Sequence, residues 1–446
     1  MGKYFGTDGF RGEAGVSLTA HSAYKIGRYL GYAHSNAERR ARIVVGKDTR
    51  RSSYMLEYAL AAGVCASGGD VYLMHVTTTP SVSYAVRTEG FDVGVMISAS
   101  HNPYYDNGIK LMRSDGEKMD EQECLKIEQY LDSPDELPLA TRDKIGRTVD
   151  YVLARNRYTG YLISLSKHSY KGLRVGIDGA NGAAWSLARS IFDTLGAKTC
   201  VIGDTPNGTN INLKSGSTDM KALCELVVRE GLDIGFAFDG DADRCLAVNE
   251  RGEIMRGEHI LYFMSKYLRA QGEPGCEQIV TTVMSNLALT AALKKEGIGV
   301  RVCGVGDRFV YEAMDTCGAA LGGEESGHII FKKHGTTGDG LITAIKIMEA
   351  LIESKGRASE LSRGLKLYPQ LMRNVKVVDK ARTMADKRLL SAVALQEKAL
   401  HGEGRVLVRA SGTEPLVRIM VESQDEGVCA SVADALEDIV RLTQTE

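Results

Sequence analysis

The chain has 446 residues, room for three or four domains, and carries 55 Lys plus Arg against 57 Asp plus Glu for a formal net charge of -2. So even a balance leaves no basic field to hold nucleic acid non-specifically. Its nine cysteines, from Cys65 to Cys429 without a C-x-x-C pair, read as reduced thiols of a cytoplasmic protein, and neither a secretory signal nor an apolar run of membrane-spanning length is expected.

In chain order, alternating strand and helix signals predict an α/β architecture. The first unit reads as strand 42–45, helix 54–67, strand 71–75 and a short buried strand 93–97, followed by a turn-rich loop through Asn102-Pro103 to Asp106-Asn107-Gly108. A polar break, Ser133-Pro134-Asp135-Glu136-Leu137-Pro138, leads to a second unit from about Tyr151, with strand 173–177, helix 183–195, strand 198–202, loop 205–212 and strand 234–238. The third unit follows Gly252, with helix 258–269, strand 278–283, helix 287–295, strand 300–303 and a long helix 341–353. From about Tyr368 the order strand, helix, strand, strand, helix reads as α+β, with a hinge expected near 366–372. The expected domains are 1–148, 149–250, 251–366 and 367–446.

Three stretches carry chemistry. Ser98-Ala99-Ser100-His101-Asn102-Pro103 leaves the strand 93–97. A serine at the carboxyl end of a sheet strand is a candidate nucleophile, although a loop serine taken alone more often caps a helix or satisfies backbone groups.

Asp239-Gly240-Asp241-Ala242-Asp243-Arg244 follows the strand 234–238. Carboxylates at alternate positions share one face if the backbone stays extended, and three anions in one loop repel unless a hard divalent cation takes oxygen ligands from them. The bland alternative is a solvated acidic turn. An EF-hand calcium loop would accept Glu250 at its twelfth position, but it needs glycine where Arg244 stands, and helices where the flanks read as strands. An aspartyl-phosphate phosphatase, with Asp239 as nucleophile, leaves Ser100 and Asp243 without a role. Near the C-terminus, Arg409-Ala410-Ser411-Gly412-Thr413-Glu414-Pro415 with Arg418 offers two arginines, two hydroxyls and a glycine, an anion cradle suited to phosphate rather than a plain surface turn.

In this order, Ser98 to Pro103, the aspartate loop, Gly323-Glu324-Glu325-Ser326-Gly327-His328 and Arg409 to Pro415 resemble the four signatures of the α-D-phosphohexomutases, the phosphoglucomutase/phosphomannomutase family. Phe5-Gly6-Thr7-Asp8-Gly9-Phe10-Arg11-Gly12, Asn107-Gly108-Ile109-Lys110 and Val305-Gly306-Asp307-Arg308 resemble its phosphoglucosamine mutase branch. The resemblance spans nearly the whole chain. It implies three similar α/β domains with mixed sheets plus a C-terminal α+β domain, and an isomerase that interconverts glucosamine 6-phosphate and glucosamine 1-phosphate through phosphoserine and a 1,6-bisphosphate. That reaction would feed amino-sugar nucleotide synthesis for the cell wall. The alternatives are a phosphomannomutase or phosphoglucomutase and, outside the family, a metal-dependent phosphatase.

The resemblance also implies roles. Mg²⁺ would be held by Ser100, Asp239, Asp241 and Asp243, and a hexose 1,6-bisphosphate would serve as activator and intermediate. Lys110, His328 and Arg11 would stand near the sugar oxygen that gains or loses a proton, Lys110 foremost. Arg244, Glu324 and Ser326 would meet the substrate, and Arg409, Ser411, Gly412, Thr413 and Arg418 the phosphate that is not reacting. His101 is expected to position the serine loop, and Asp307 and Arg308 to lie near the sugar. The implied partner is a small hexose phosphate, with no nucleic acid or membrane and room for a homodimer.

Two residues depart from the branch pattern. Ala242 stands where glycine is common and costs little unless its φ is positive. Glu325 stands where glutamine is common; its extra negative charge suits a sugar carrying an ammonium group or marks a different sugar.

Overall fold

A computed structural model describes residues 2–36, 38–134, 136–400, 404–411 and 415–444. Contacts divide it into a larger unit, Met1–Met284 with Gly297–Arg363, and a smaller one, Ser285–Glu296 with Gly364–Glu446.

In the larger unit the first sheet has seven strands, ordered β1-β2-β6-β5-β3-β4-β7. They are β1 (Phe5–Gly6), β2 (Gly9–Glu13), β3 (Arg42–Lys47), β4 (Asp70–Val76), β5 (Val93–Ile97), β6 (Asp106–Arg113) and β7 (Thr148–Asp150). The central strands β3 and β5 are parallel and apolar along most of their length, as strands covered on both faces should be. The predicted loop after Pro103 is corrected here: residues from Asp106 onward form β6, antiparallel to both β5 and β2. Asn107-Gly108 looks like a turn signal, yet the Asn107 amide donates to the hydroxyls of Ser52 and Ser53 at 2.8 and 2.9 Å. Gly108 is needed because a Cβ there would come within 2.5 Å of the Ser98 carbonyl oxygen. The strand therefore lies against the serine loop and delivers Lys110 beside it.

The second sheet, ordered β12-β11-β10-β8-β9, contains β8 (Arg174–Asp178), β9 (Lys198–Ile202), β10 (Ile234–Phe238), β11 (Cys245–Asn249) and β12 (Ile254–Met255). The helix expected at 183–195 is shortened to Leu187–Thr194, because the chain before it turns tightly: a Cβ on Gly182 would come within 2.5 Å of the Gly240 carbonyl oxygen. The third sheet, ordered β14-β13-β15-β16, contains β13 (Gln278–Thr282), β14 (Gly299–Cys303), β15 (Leu321–Gly323) and β16 (Ile329–Phe331). The antiparallel pair β15 and β16 holds Glu324 to His328 in its turn. All three sheets mix parallel and antiparallel pairs.

The smaller unit is a three-stranded antiparallel sheet ordered β17-β19-β18, from β17 (Gln370–Lys376), β18 (Gly404–Ala410) and β19 (Leu416–Ser423). Its core joins Val417, Ile419 and Val421 to Val432, Leu436 and Val440 of the helix Glu426–Leu442. The helix Leu287–Lys295, which chain order assigns to the third unit, groups with it; the Leu287 N–H donates to Glu422 Oε1 at 2.5 Å. Among the described residues, no helix is long and apolar enough to cross a membrane.

Candidate active site

Ser100 lies just beyond β5, 1 % exposed, with φ +51° in the left-handed region that a non-glycine residue occupies only when its surroundings hold it there. The holders are explicit. The Ser100 N–H donates to Ser98 Oγ at 2.9 Å, and Arg50 and Asn212 donate to its carbonyl oxygen at 3.2 and 2.9 Å. A Cβ at Gly240 would come within 2.4 Å of that same carbonyl, so glycine alone lets the aspartate loop approach. The approach brings Ser100 Oγ to 2.5 Å from Asp239 Oδ2, to which it donates.

Oxygens of Asp239, Asp241 and Asp243 lie within 4.8 Å of one another, and all three residues are buried. They converge because the loop turns, rather than by the extended backbone that their spacing suggests. The turn places Ala242 at φ +57°, so the alanine is not neutral: its Cβ costs about 1 kcal/mol there relative to a conformation it prefers. Burial, with Asp243 and Asp241 adding to it, pushes the Asp239 carboxyl well up. Asp241 Oδ1 and Asp243 Oδ1 are buried without a hydrogen-bond partner. Three convergent carboxylates, two of them with an unsatisfied oxygen, form a donor set that fits a hard divalent cation.

Lys110, 4 % exposed, donates to Asp241 Oδ2 at 2.8 Å and Asp243 Oδ2 at 3.4 Å, and lies 3.3 Å from Asp8 Oδ2. Burial opposes its charge, but Asp241, Asp8 and Asp243 outweigh burial and hold it protonated. Lys110 therefore presents a proton rather than a lone pair.

A cleft of about 460 Å³ opens beside this centre, lined by Asp8, Arg11, His101, Arg244, Glu324 and His328 among others. Arg11 donates to the Ala99 carbonyl oxygen at 3.4 Å and pairs with Asp8. The Nε atoms of Arg11 and Arg244 are buried without a hydrogen-bond partner, that of Arg244 lying 3.9 Å from Asp243 Oδ1, and are donors suited to an anion. His101 Nδ1 is 3.3 Å from Ser100 Oγ and 3.1 Å from Arg244. Burial, then Arg244 and Arg11, push its pKa down to about 4, so it is a neutral spacer between the two. Burial works against charge on His328, but Asp243, Asp307 and Glu324 carry its pKa up to about 9. The Gly338 N–H donates to its Nε2 at 2.8 Å, which needs the lone pair of the neutral ring. A second proton would break that bond and leave Asp307 Oδ2, 3.7 Å from Nε2, as the acceptor.

Glu324 Oε1 accepts from the Gly306 N–H at 3.0 Å, and its Oε2 is 3.4 Å from the Ser326 hydroxyl. Asp307 lines the cleft, whereas Arg308 pairs with Glu312 at 2.7 Å and lines a neighbouring cavity. Glu325 does not line the cleft. Burial, with Glu324 and Glu258 adding to it, pushes its carboxyl up, and a proton on it restores the donor and acceptor pattern of glutamine.

In the smaller unit, Arg409 and Arg418 are direct partners across β18 and β19. Like charges directly opposite each other destabilise a sheet unless an anion lies between them. Lys380 donates to the Ser411 carbonyl oxygen at 2.7 Å and adds a third cation. Gly412 and Thr413 lie outside the described residues.

Sequence reasoning had no role for Asp8 inside its motif and no signal for Arg50, Thr79, Asn212, Lys118 or Lys380. Thr79, for example, donates through its hydroxyl to Asp241 Oδ2 and through its N–H to the Asp241 carbonyl oxygen at 3.0 Å. These residues reach the site by strand pairing or from remote loops, which no local pattern encodes.

The chain matches four descriptions of phosphoglucomutase/phosphomannomutase: α/β/α domain I over residues 2–138, domain II over 156–252, domain III over 256–368 and the C-terminal domain over 372–439. It is 55% identical to a phosphoglucosamine mutase of Lachnospira eligens over 444 residues, 99% of each chain. It is 46% identical to one of Streptococcus pneumoniae over 445 residues, again 99% of each chain. Among solved structures, a phosphoglucomutase/phosphomannomutase family protein of Burkholderia thailandensis superposes with a TM-score of 0.81 at 24% identity, over 99% of this chain and 98% of that one. An N-acetylphosphoglucosamine mutase of Aspergillus fumigatus, solved with GlcNAc-6P and magnesium, superposes with a TM-score of 0.68 at 16% identity, over 99% and 96%.

Proposed function

Because the chain belongs to the phosphoglucomutase/phosphomannomutase family, we propose that it interconverts glucosamine 6-phosphate and glucosamine 1-phosphate in the cytoplasm, with Ser100 as the phosphoryl carrier. The observation that carries this reading is the Ser100 hydroxyl, buried at the end of β5 and directed at a triad of aspartates. The choice of glucosamine draws on relatives 46% to 55% identical over 99% of the chain, all named phosphoglucosamine mutases.

A free serine hydroxyl is a weak nucleophile, so the resting form is phosphoserine. A sugar hydroxyl attacks its phosphorus, the bond from phosphorus to Ser100 Oγ breaks, and the hydroxyl proton leaves to a group in the cleft while Ser100 Oγ regains one. The resulting 1,6-bisphosphate turns around and returns its other phosphoryl group to Ser100. Lys110, held protonated, supplies a proton and positive charge at the oxygen that leaves. His328 and Arg11 complete the wall around that oxygen, and Arg244 with Glu324 and Ser326 orients the substrate. Asp239, Asp241, Asp243 and an oxygen on Ser100 would hold Mg²⁺, which supplies charge neutralisation for the loose transition state of phosphoryl transfer. Arg409, Ser411 and Arg418, with Gly412 and Thr413, grip the idle phosphate; remote binding of that kind supplies orientation in both poses.

Mass spectrometry after incubation with a hexose 1,6-bisphosphate tests the carrier. Acid-stable phosphate on Ser100 is expected. An acyl phosphate on Asp239 that hydroxylamine cleaves would make the protein a phosphatase instead.

A further inference from the structure

One half-buried cation beside the cleft belongs to none of the sequence motifs. Lys118 follows the turn after β6, and its ammonium donates to Asp8 Oδ1 at 2.8 Å, Asp307 Oδ1 at 2.6 Å and the Thr7 carbonyl oxygen at 3.1 Å. The turn itself is fixed, since Ser83 and Thr336 both donate through their hydroxyls to the Gly116 carbonyl oxygen, at 3.0 and 2.8 Å. Burial opposes charge on Lys118, and Asp307 and Asp8 outweigh it.

These contacts close a ring in which Lys118 and Lys110 alternate with Asp8, Asp243 and Asp307, and the His328 imidazole bridges Asp243 and Asp307. From Lys118 it passes to Asp8 at 2.8 Å, and from Asp8 to Lys110 at 3.3 Å. Lys110 reaches Asp243 at 3.4 Å, Asp243 reaches His328 at 3.7 Å, His328 reaches Asp307 at 3.7 Å, and Asp307 returns to Lys118 at 2.6 Å. Two members, Asp8 and Asp307, depend on Lys118. Without it, Asp8 keeps only Arg11 and Lys110, so Lys110 is drawn off the aspartate loop toward Asp8. Asp307 is left with the His328 imidazole, 3.7 Å away, as its one neighbour in the ring.

We infer that Lys118 is a positioning residue for phosphoryl transfer: by holding Asp8 and Asp307 it closes this ring and keeps Lys110 and His328 facing the aspartate loop. The inference rests on the mutase reading for its effect on turnover, while its effect on the charge of the ring can be read without turnover. Removing one positive charge from the ring should make the aspartate loop a stronger cation site even as catalysis weakens. A residue serving only as a structural tie would weaken both together.

The test compares Lys118→Met, which keeps the stem and removes the charge, with Lys118→Gln and Lys118→Arg. A neighbouring cavity of about 380 Å³, lined by Lys118, Asp8, Lys110 and Asp307, gives a guanidinium room. Thermal unfolding verifies that each variant is folded, calorimetry measures Mg²⁺ affinity, and steady-state kinetics separate kcat from KM. For Met and Gln, kcat should fall about 10- to 100-fold with KM changed far less, as for other residues that orient a catalytic group. Mg²⁺ should bind those two variants about threefold more tightly or better, and Arg should recover most of kcat. A kcat within twofold of the wild type in Met and Gln, or Mg²⁺ binding that weakens in either folded variant, would overturn the inference. If the wild type turns over no hexose phosphate, the mutase reading fails, and tighter Mg²⁺ binding by Lys118→Met and Lys118→Gln still decides whether Lys118 sets the charge of the ring.

Discussion

Ser100 and the three aspartates are at most 6 % exposed, and the charges around them answer one another residue by residue, whereas Arg409 is exposed and stands directly across β18 and β19 from Arg418. The two regions solve different problems. Phosphoryl transfer needs charge fixed in advance, because groups that must reorganise during the reaction stabilise the transition state less. A grip on the idle phosphate needs positive charges set side by side, and two arginines in register are an arrangement that an anion between them favours. Substitutions in the buried centre should therefore act on kcat, and substitutions in the cradle on KM.

The sharpest break in this contrast is Ser100→Ala, for which turnover should fall by more than about 10³-fold while the fold survives; retained activity would remove Ser100 as carrier. Next, Asp241→Asn should lower kcat by about 10²-fold or more and raise the Mg²⁺ concentration needed for half-maximal rate. Arg418→Ala should leave that Mg²⁺ requirement unchanged and raise KM by about tenfold or more. If the Mg²⁺ requirement moved with Arg418, the cradle would not be the separate grip described.

Two smaller effects sharpen the account of the residues that depart from the branch pattern. The folded-state pKa of Glu325 is raised, so its contribution to stability is fully present below the pKa of an unfolded glutamate and is lost as pH rises through the folded value. Glu325→Gln should therefore gain in thermal stability over the wild type as pH is raised, with the gain vanishing in acid, and should retain kcat. A pH-independent difference in unfolding temperature would contradict the raised pKa of the Glu325 carboxyl. Ala242→Gly should be the mildest change, shifting stability by less than about 1 kcal/mol, since relief of the left-handed Cβ is offset by the greater entropy of glycine in the unfolded chain.

Much of the fold was legible because apolar runs such as Val93 to Ile97 and Ile234 to Phe238 are bounded by turn residues and form the central strands β5 and β10 where they were expected. The error at Asp106 to Arg113 has a local cause. Asn-Gly signals a turn when its side chain is free to close one, and here the Asn107 amide is bound to Ser52 and Ser53. The serine and aspartate loops were legible because each is contiguous in the chain. Lys118 was not, since Asp8 and Asp307 lie 110 and 189 residues away from it and meet it only after folding. Glu325 shows the limit of motif reading, which placed its charge near the sugar, whereas its side chain does not line the cleft.

The most direct test of the central claim is ³¹P NMR of the protein with Mg²⁺, a trace of hexose 1,6-bisphosphate and, in parallel, glucosamine 6-phosphate and its glucose and mannose analogues. Preferential appearance of glucosamine 1-phosphate is predicted. Preference for glucose or mannose would contradict the substrate, and release of inorganic phosphate alone would contradict the mutase.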